Sequence, residues 1–187
     1  MKSFPSRRQT SMDKKSPRIL TLFSDVNEGS CLSLIVSLLK LDAESHEPIH
    51  LYIDSSGGDI DEGLALYDVI RHIESPVYTL VVGKAASMGA FLLSIGEKGH
   101  RYALPHARIL IHQPLISTRD GASLPQSRFA QIARGLQESR ANLEAIMAKA
   151  TGQEISKFHH DCERDNWMSA QEALAYGLID QIVSPTR

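Results

Sequence analysis

Cysteine is scarce in this chain: Cys31 and Cys162 are the only two in 187 residues. Two thiols give no disulfide framework, and a reducing compartment fits them best. No apolar run approaches the roughly 20 residues needed to span a membrane. No apolar signal-peptide core precedes the first periodic segment, so the expected location is the cytoplasm. Neither sign of charge is in excess, with 20 Lys and Arg against 22 Asp and Glu and a formal net charge of -2. That balance implies no general affinity for nucleic acid. A glycine-rich phosphate loop ending in Lys and Ser or Thr is missing as well, so any ATP hydrolysis would have to come from another protein. His159-His160-Asp161-Cys162 has the composition of a metal cluster, but adjacent histidines point in different directions and no zinc-type spacing accompanies them. It reads as a solvated helix end, and neither metal nor other cofactor is expected.

What is present is a repeated alternation of strand-like and helix-like segments, the mark of an α/β fold. Strands are expected near 19–23, 49–53, 77–82, 101–104, 108–111 and 178–183. Cys31, Leu34, Ile35, Leu38, Leu39 and Leu41 recur at helical spacing, as do Leu64, Leu66, Tyr67, Ile70 and Ile73 over 60–73. A long helix over 127–150 carries a stripe of Phe129, Ile132, Leu136, Leu143, Ile146 and Met147. Ser169 and Glu172 form a capping box for a short helix that ends before Gly177. The length suits one domain, placed at 18–187. Over residues 1–18, Lys2, Arg7, Arg8, Lys14, Lys15 and Arg18 face a single acid, Asp13, among four serines and two prolines. That composition predicts a flexible basic segment over 1–17, or a leader that is removed.

Three segments carry chemistry. An apolar strand over 76–83 breaks into Lys84-Ala-Ala-Ser-Met-Gly-Ala90 and resumes as an apolar helical run. Ser87 therefore stands at a helix start, beside backbone N–H groups without intrahelical partners, where an attacking hydroxyl would find its oxyanion stabilised. The strict Gly-x-Ser-x-Gly elbow is not met, because Ala85 replaces its first glycine. A lone serine there is most often a cap. His112 ends a second apolar strand, which Gln113-Pro114 terminates, and an imidazole so placed suits a general base. The third segment, 161–168, offers Asp161, Glu163 and Asp165 as acids to orient that imidazole, and spacing alone does not choose among them. Asp54-Ser-Ser-Gly-Gly-Asp59 closes another strand with a glycine pair that lets a backbone amide face a substrate carbonyl.

Together these segments resemble the ClpP family, the proteolytic subunit of the Clp protease. The resemblance runs from Arg18 to Val183 through Leu51-Tyr-Ile-Asp-Ser-Ser-Gly-Gly58, Ala85-Ala-Ser-Met-Gly-Ala90, Ile111-His-Gln-Pro114, Thr151-Gly-Gln153, Glu163-Arg-Asp165, Met168-Ser-Ala170 and Tyr176-Gly-Leu-Ile-Asp180. It implies a ClpP/crotonase-like spiral of ββα units, with the long helix protruding as a handle that joins two seven-membered rings into a tetradecamer. It implies Ser87 as nucleophile, His112 as base and Asp165 as orienting acid, with the N–H groups of Gly58 and Met88 as oxyanion hole. Glu163 and Arg164 are assigned to ring–ring ion pairs. The implied partners are unfolded protein substrates and an AAA+ unfoldase of the ClpX, ClpA or ClpC kind, with no nucleic acid and no membrane.

Departures accompany the likeness. Ser56 stands where the family usually has proline and Asp54 where it has asparagine, so a less rigid turn before Gly58 is expected. The segment 116–126 lacks the family's glycine-rich strand and is about four residues longer than expected, as loops tolerate. Residues 1–18 lack the family's axial loop and short helix. These favour a divergent paralogue, either an endopeptidase in its own right or an accessory subunit sharing rings with a more typical ClpP. A third arrangement, a serine–lysine hydrolase of signal-peptide-peptidase type, would use Lys84.

Overall fold

The computed structural model describes residues 18–115 and 126–183. Five strands run parallel, in the spatial order β1 (Ile19–Leu22), β2 (Ile49–Ser55), β3 (Val77–Ala86), β4 (Arg101–Ala103) and, at the far edge, β7 (Gln181–Ile182). Parallel neighbours need crossover connections, and α1 (Glu28–Glu44), α2 (Ile60–His72) and α3 (Met88–Ser94) supply the first three. β3 changes neighbours along its ten residues. Thr79–Val81 pair with β4, whereas Lys84–Ala86 pair with β5 (Arg108–Ile111). β6 (Asn166–Ser169) then lies antiparallel on β5. Between them in sequence come the long α4 (Gln126–Thr151) and the short α5 (Ile155–Asp161); α6 (Ala170–Tyr176) follows β6. This mixed α/β architecture, a parallel-dominated sheet with six helices among the described residues, fits the expected ClpP-like fold.

Local chemistry sets the element ends. Asn27 and Ser30 form a reciprocal capping box at α1, and Asp59 accepts from the Asp61 and Glu62 N–H groups to start α2 directly after the glycine pair. The Ser169–Glu172 box and the left-handed Gly177 bound α6 as expected. In β2, Ile49, Leu51 and Ile53 are buried while His50 and Asp54 are exposed. All seven residues of α3 are buried, a helix apolar on every side and therefore enclosed. Each large side chain buried there contributes about 1.5–3 kcal/mol.

α4 behaves as two halves. No residue from 127 to 143 is buried, and Phe129 is 59% exposed. Beyond that point Glu144, Met147 and Ala148 are buried against the core, with Leu143 and Ile146 packed beside it. The apolar stripe is thus satisfied within the protomer only at its C-terminal end.

Some expectations need correction. β6 and α5 were not anticipated: four residues give no alternation, and α5 buries Phe158 alone. The last strand is two residues rather than six, because Leu178 and Ile179 are buried in the turn after α6. The helix end at 159–162 is not wholly solvated. Cys162 is buried, and His159 bonds Glu144 through Nδ1 at 2.9 Å. Arg18 does not share the character proposed for the basic segment; it is buried and donates to Leu41 O, Ser45 O, Glu47 O and Ser75 Oγ. Residues 1–17 and the altered stretch up to 125 lie outside the described residues.

Arg101 ties the far end of the core together. Its side chain, 1% exposed, donates to both Asp180 carboxylate oxygens at 2.8 and 2.6 Å. Its Nη1 donates to Ser94 O at the end of α3 and to Ala150 O at the end of α4. Burial by itself would raise the Asp180 carboxyl, but the bonds and charge of Arg101 outweigh it and hold the pKa at about 2. Because this is below the unfolded value of about 3.9, the unfolded state binds the extra proton first. The stabilisation is complete above about pH 4 and is lost as pH falls through about 2. Asp180→Asn leaves the arginine without its counter-charge and is expected to cost about 3–5 kcal/mol in urea unfolding at pH 7. The variant should also show a shallower loss of stability between pH 4 and 2.

Candidate active site

β3 ends at Ala86 and α3 begins at Met88, so Ser87 makes the whole turn between strand and helix. Its backbone has φ 54 and ψ -122, the one positive φ outside glycine among the described residues. A side chain held in this region costs on the order of 1–3 kcal/mol and persists only where the surroundings impose it. The hydroxyl makes no cap bond to α3, so the helix-cap reading fails. Sharp strand-to-helix turns of this kind project a nucleophile out of the chain path.

The glycine pair explains what imposes the turn. A Cβ on Gly57 would lie 2.5 Å from Ala86 O, 2.7 Å from Ser87 Cβ and 2.9 Å from Met88 N. Only a glycine, at φ 90, lets this loop press so closely against the turn. Val26 N donates to Gly57 O at 2.8 Å and Asp59 N to Val26 O at 2.9 Å. Successive residues of an extended strand direct their polar groups to opposite sides, so Gly58 N–H is aimed away from Val26. Met88 N–H is the first of α3 and has no intrahelical partner. The turn at Ser56, expected to be less rigid without proline, is tied by two hydrogen bonds. Ser55 Oγ accepts from Gly57 N at 3.1 Å, and Asp54 Oδ1 accepts from Lys84 N at 3.0 Å.

His112 follows β5 and lines one pocket with Ser87 and Met88. Ile60, Phe91, Ile111, Leu143, Met147 and Phe158 form its apolar wall. The imidazole is 12% exposed, and its Nδ1 lies 3.9 Å from Asp165 Oδ1. This exceeds a hydrogen bond and is within closing distance of one. Of the three candidate acids, Asp165 alone comes within 4 Å of His112. Asp161 is occupied by Tyr176 OH at 2.8 Å and by Lys157; these bonds outweigh the opposing effect of burial and lower its pKa. Glu163 pairs with His160 at 3.5 Å, and Arg164 is exposed without an ion-pair partner among the described residues.

Two competing nucleophilic arrangements find no support. Lys84 lines a different surface depression, with Asp54, Gly83, Arg108 and Trp167. Cys162 does line the Ser87 pocket, but burial, with the charge of Glu144 adding to it, pushes its thiol up to about 12. A thiol so disfavoured from ionising is a poor nucleophile at neutral pH.

The Clp protease family model matches residues 7–186. The chain belongs to the Clp protease family. It is 49% identical over 169 residues to ATP-dependent Clp protease proteolytic subunit 3 of Synechococcus sp. (strain CC9902), covering 89% of this chain and 82% of that protein. Subunit 2 of Prochlorococcus marinus (strain NATL2A) is 47% identical with the same coverage. A proteolytic subunit of Streptococcus salivarius is 46% identical over 168 residues, covering 89% of this chain and 85% of its own. Membership of the Clp protease family supports a serine peptidase. No helix among the described residues is long and apolar enough to cross a membrane.

Sequence reasoning missed the bonds that run from Gln113 to Arg140, from Arg140 to Glu144 and from Glu144 to His159, of which Arg140 and Glu144 line the pocket. The available signal was the Arg140–Glu144 spacing of one helical turn beside the apolar stripe. It did not anticipate Gly57 as the residue that fits against Ser87. If the turn is strained as described, Ser87→Gly should be more stable than Ser87→Ala by roughly 1 kcal/mol, relief of strain exceeding the entropy glycine adds to the unfolded chain. Chemical unfolding of the two variants measures this, and equal midpoints would remove the strain from the account.

Proposed function

We propose that this chain is a serine endopeptidase subunit of a self-compartmentalised ATP-dependent Clp protease, cutting unfolded polypeptide through an acyl-enzyme on Ser87. The observation that carries the reading is the strained Ser87 turn, sharing one pocket with His112. Asp165 stands behind the imidazole at 3.9 Å. Ser87 Oγ attacks the scissile carbonyl carbon while His112 Nε2 takes the hydroxyl proton. Asp165 holds the Nδ1–H tautomer and stabilises the imidazolium, which requires the 3.9 Å gap to close when substrate binds. The carbonyl oxygen, now negative, is received by the N–H groups of Gly58 and Met88. Collapse expels the amine with the proton from His112. Water then attacks the ester by the same route in reverse, with His112 again the base.

The chain carries no nucleotide loop, so unfolding of substrates falls to a separate AAA+ Clp unfoldase. The N-terminal half of α4, where no residue from 127 to 138 is fully buried in the protomer, is assigned to joining stacked heptameric rings, with Glu163 and Arg164 in ion pairs across them. The proposed setting is the cytoplasm.

A second reading makes the chain an accessory ring member with weak activity, working beside a more typical paralogue. Its support is the open His112–Asp165 gap, a pair short of a hydrogen bond. Fluorophosphonate labelling and peptide turnover of the purified chain decide between the two. Under the first reading wild type is labelled and active; Ser87→Ala loses both, and Asp165→Asn loses roughly 10³- to 10⁴-fold in kcat. Activity that appears only after a paralogue is added establishes the second. Labelling of Ser87→Ala at the wild-type level would contradict both.

A further inference from the structure

Near the carboxyl end of β3 the sheet carries a second depression, lined by Asp54, Gly83, Lys84, Arg108 and Trp167. It shares no residue with the Ser87 pocket. Lys84 and Arg108 face each other directly in the β3–β5 ladder, and both are exposed. Neighbouring strands lie about 4.8 Å apart, so two positive charges rise from adjacent points of one sheet face. Like charges on facing residues repel. Neither side chain has an ion pair or a hydrogen bond among the described residues. The charge of Glu172 reaches Arg108, but Glu172 Oε2 is held by Ser169 N and Ser169 Oγ, each at 2.7 Å.

The other walls define what an anion held there would carry with it. Arg108 Cζ stands 5.7 Å from the centre of the Trp167 ring, a cation–π contact that steadies the guanidinium and leaves its N–H groups free. Trp167 is 43% exposed, an apolar surface beside the two cations. Asp54 Oδ1 accepts from Lys84 N at 3.0 Å, and its Oδ2 has no hydrogen bond among the described residues. Gly83 makes room for this carboxylate, since a Cβ there would lie 2.8 Å from Oδ1. The lining thus combines two cations, one free acceptor oxygen and an aromatic face. The last residue of a peptide presents the matching set: a carboxylate, a backbone N–H and a side chain. Lys84 and Arg108 against Asp54 leave a net charge of +1 in the lining, which suits one carboxylate better than a doubly charged phosphate.

We propose that this depression binds the C-terminal carboxylate of a peptide that ends in an apolar residue. Lys84 and Arg108 hold the carboxylate, Asp54 Oδ2 accepts the last backbone N–H, and Trp167 covers the side chain. A guanidinium fork meets a carboxylate through two parallel N–H···O bonds, and the Lys84 ammonium adds a second charge. Hydrolysis through the apolar Ser87 pocket leaves peptides with such ends; that source rests on the activity proposed above, whereas the binding site does not. The depression is open to water, so each charge contributes little and affinity falls in the millimolar range.

Trp167 is the only tryptophan in the chain, so the site carries its own reporter. The test titrates acetyl-Ala-Ala-Leu, as the free acid and as the C-terminal amide, into the full-length Ser87→Ala chain, following tryptophan emission and calorimetric heat. The acid should shift emission to the blue as the indole is covered, and the amide should bind about tenfold more weakly or less. Lys84→Met and Arg108→Met should each weaken the acid on the order of fivefold, and added salt should weaken it further. Lys84→Arg, which keeps the charge, should stay within about twofold. Equal binding of acid and amide, unchanged affinity in both Met variants, or no heat and no shift with the acid would overturn the proposal. Inorganic phosphate competing as well as the acid would also overturn it, because phosphate has nothing to place on Trp167. Ser87→Ala cuts nothing, so these readings stand apart from catalysis. If wild type is neither active nor labelled at Ser87, hydrolysis fails as the source, and the titration still decides the site.

Discussion

The close contact of Gly57 with the Ser87 turn is the constraint on which the rest of the site depends. Ser87 occupies a backbone region that costs on the order of 1–3 kcal/mol, and nothing in its own side chain offsets that. The cost is met by α3, whose seven buried residues anchor the turn from one side. From the other side the glycine loop presses so close that a Cβ on Gly57 would lie 2.7 Å from Ser87 Cβ. The same loop, bridged to Val26, turns Gly58 N–H away from Val26, while Met88 N–H has no intrahelical partner. In the proposed mechanism this packing contact would leave the hydroxyl free to attack and the Gly58 and Met88 amides to receive the charge that the attack creates.

The sheet brings the remaining groups to that point. β3 leaves β4 and takes up β5 just before Ser87, so the carboxyl ends of two strands, bearing Ser87 and His112, emerge side by side. Ligand sites in open α/β sheets favour such points where strand neighbours change. β6 then returns antiparallel and delivers Asp165 opposite His112, one step past the last rung. At the opposite pole Arg101 clamps the ends of α3 and α4 to Asp180. The helix that supports the nucleophile and the helix that carries Arg140 share this buried anchor.

Much of the architecture is readable from sequence where periodicity is strong. The helices over α1, α2 and α4 and the first five strands follow from apolar spacing, and the α6 caps follow from Ser169, Glu172 and Gly177. Short elements escape such reading. β6 exists because β5 presents a pairing edge, which is a property of the partner rather than of Asn166–Ser169. At the site, Ser87, His112 and the glycine pair stand out by residue type at element ends. In the sequence only family resemblance favours Asp165 over Asp161 and Glu163, because spacing does not separate them and three-dimensional placement, with Asp165 3.9 Å from His112, does. Gln113 and Arg140 stand 27 residues apart and become neighbours only through tertiary packing. Position 56 shows the reverse case: the resemblance leads one to expect a looser turn at Ser56, whereas Ser55, Asp54 and Val26, none of which a motif would name, each make a hydrogen bond that ties the loop.

The central claim is that the Ser87 turn and the glycine loop together form a catalytic site. A crystal structure of the full chain with a peptide boronate, which mimics the tetrahedral intermediate, tests it most directly. The account predicts a covalent bond from Ser87 Oγ to boron and one boronate oxygen within about 3.1 Å of both Gly58 N and Met88 N. It also predicts the adjoining side chain in the pocket walled by Phe91, Leu143 and Met147, with His112 and Asp165 drawn into a hydrogen bond. A boronate bound elsewhere, or attached to Ser87 with its oxygen turned away from both amides, would contradict the account.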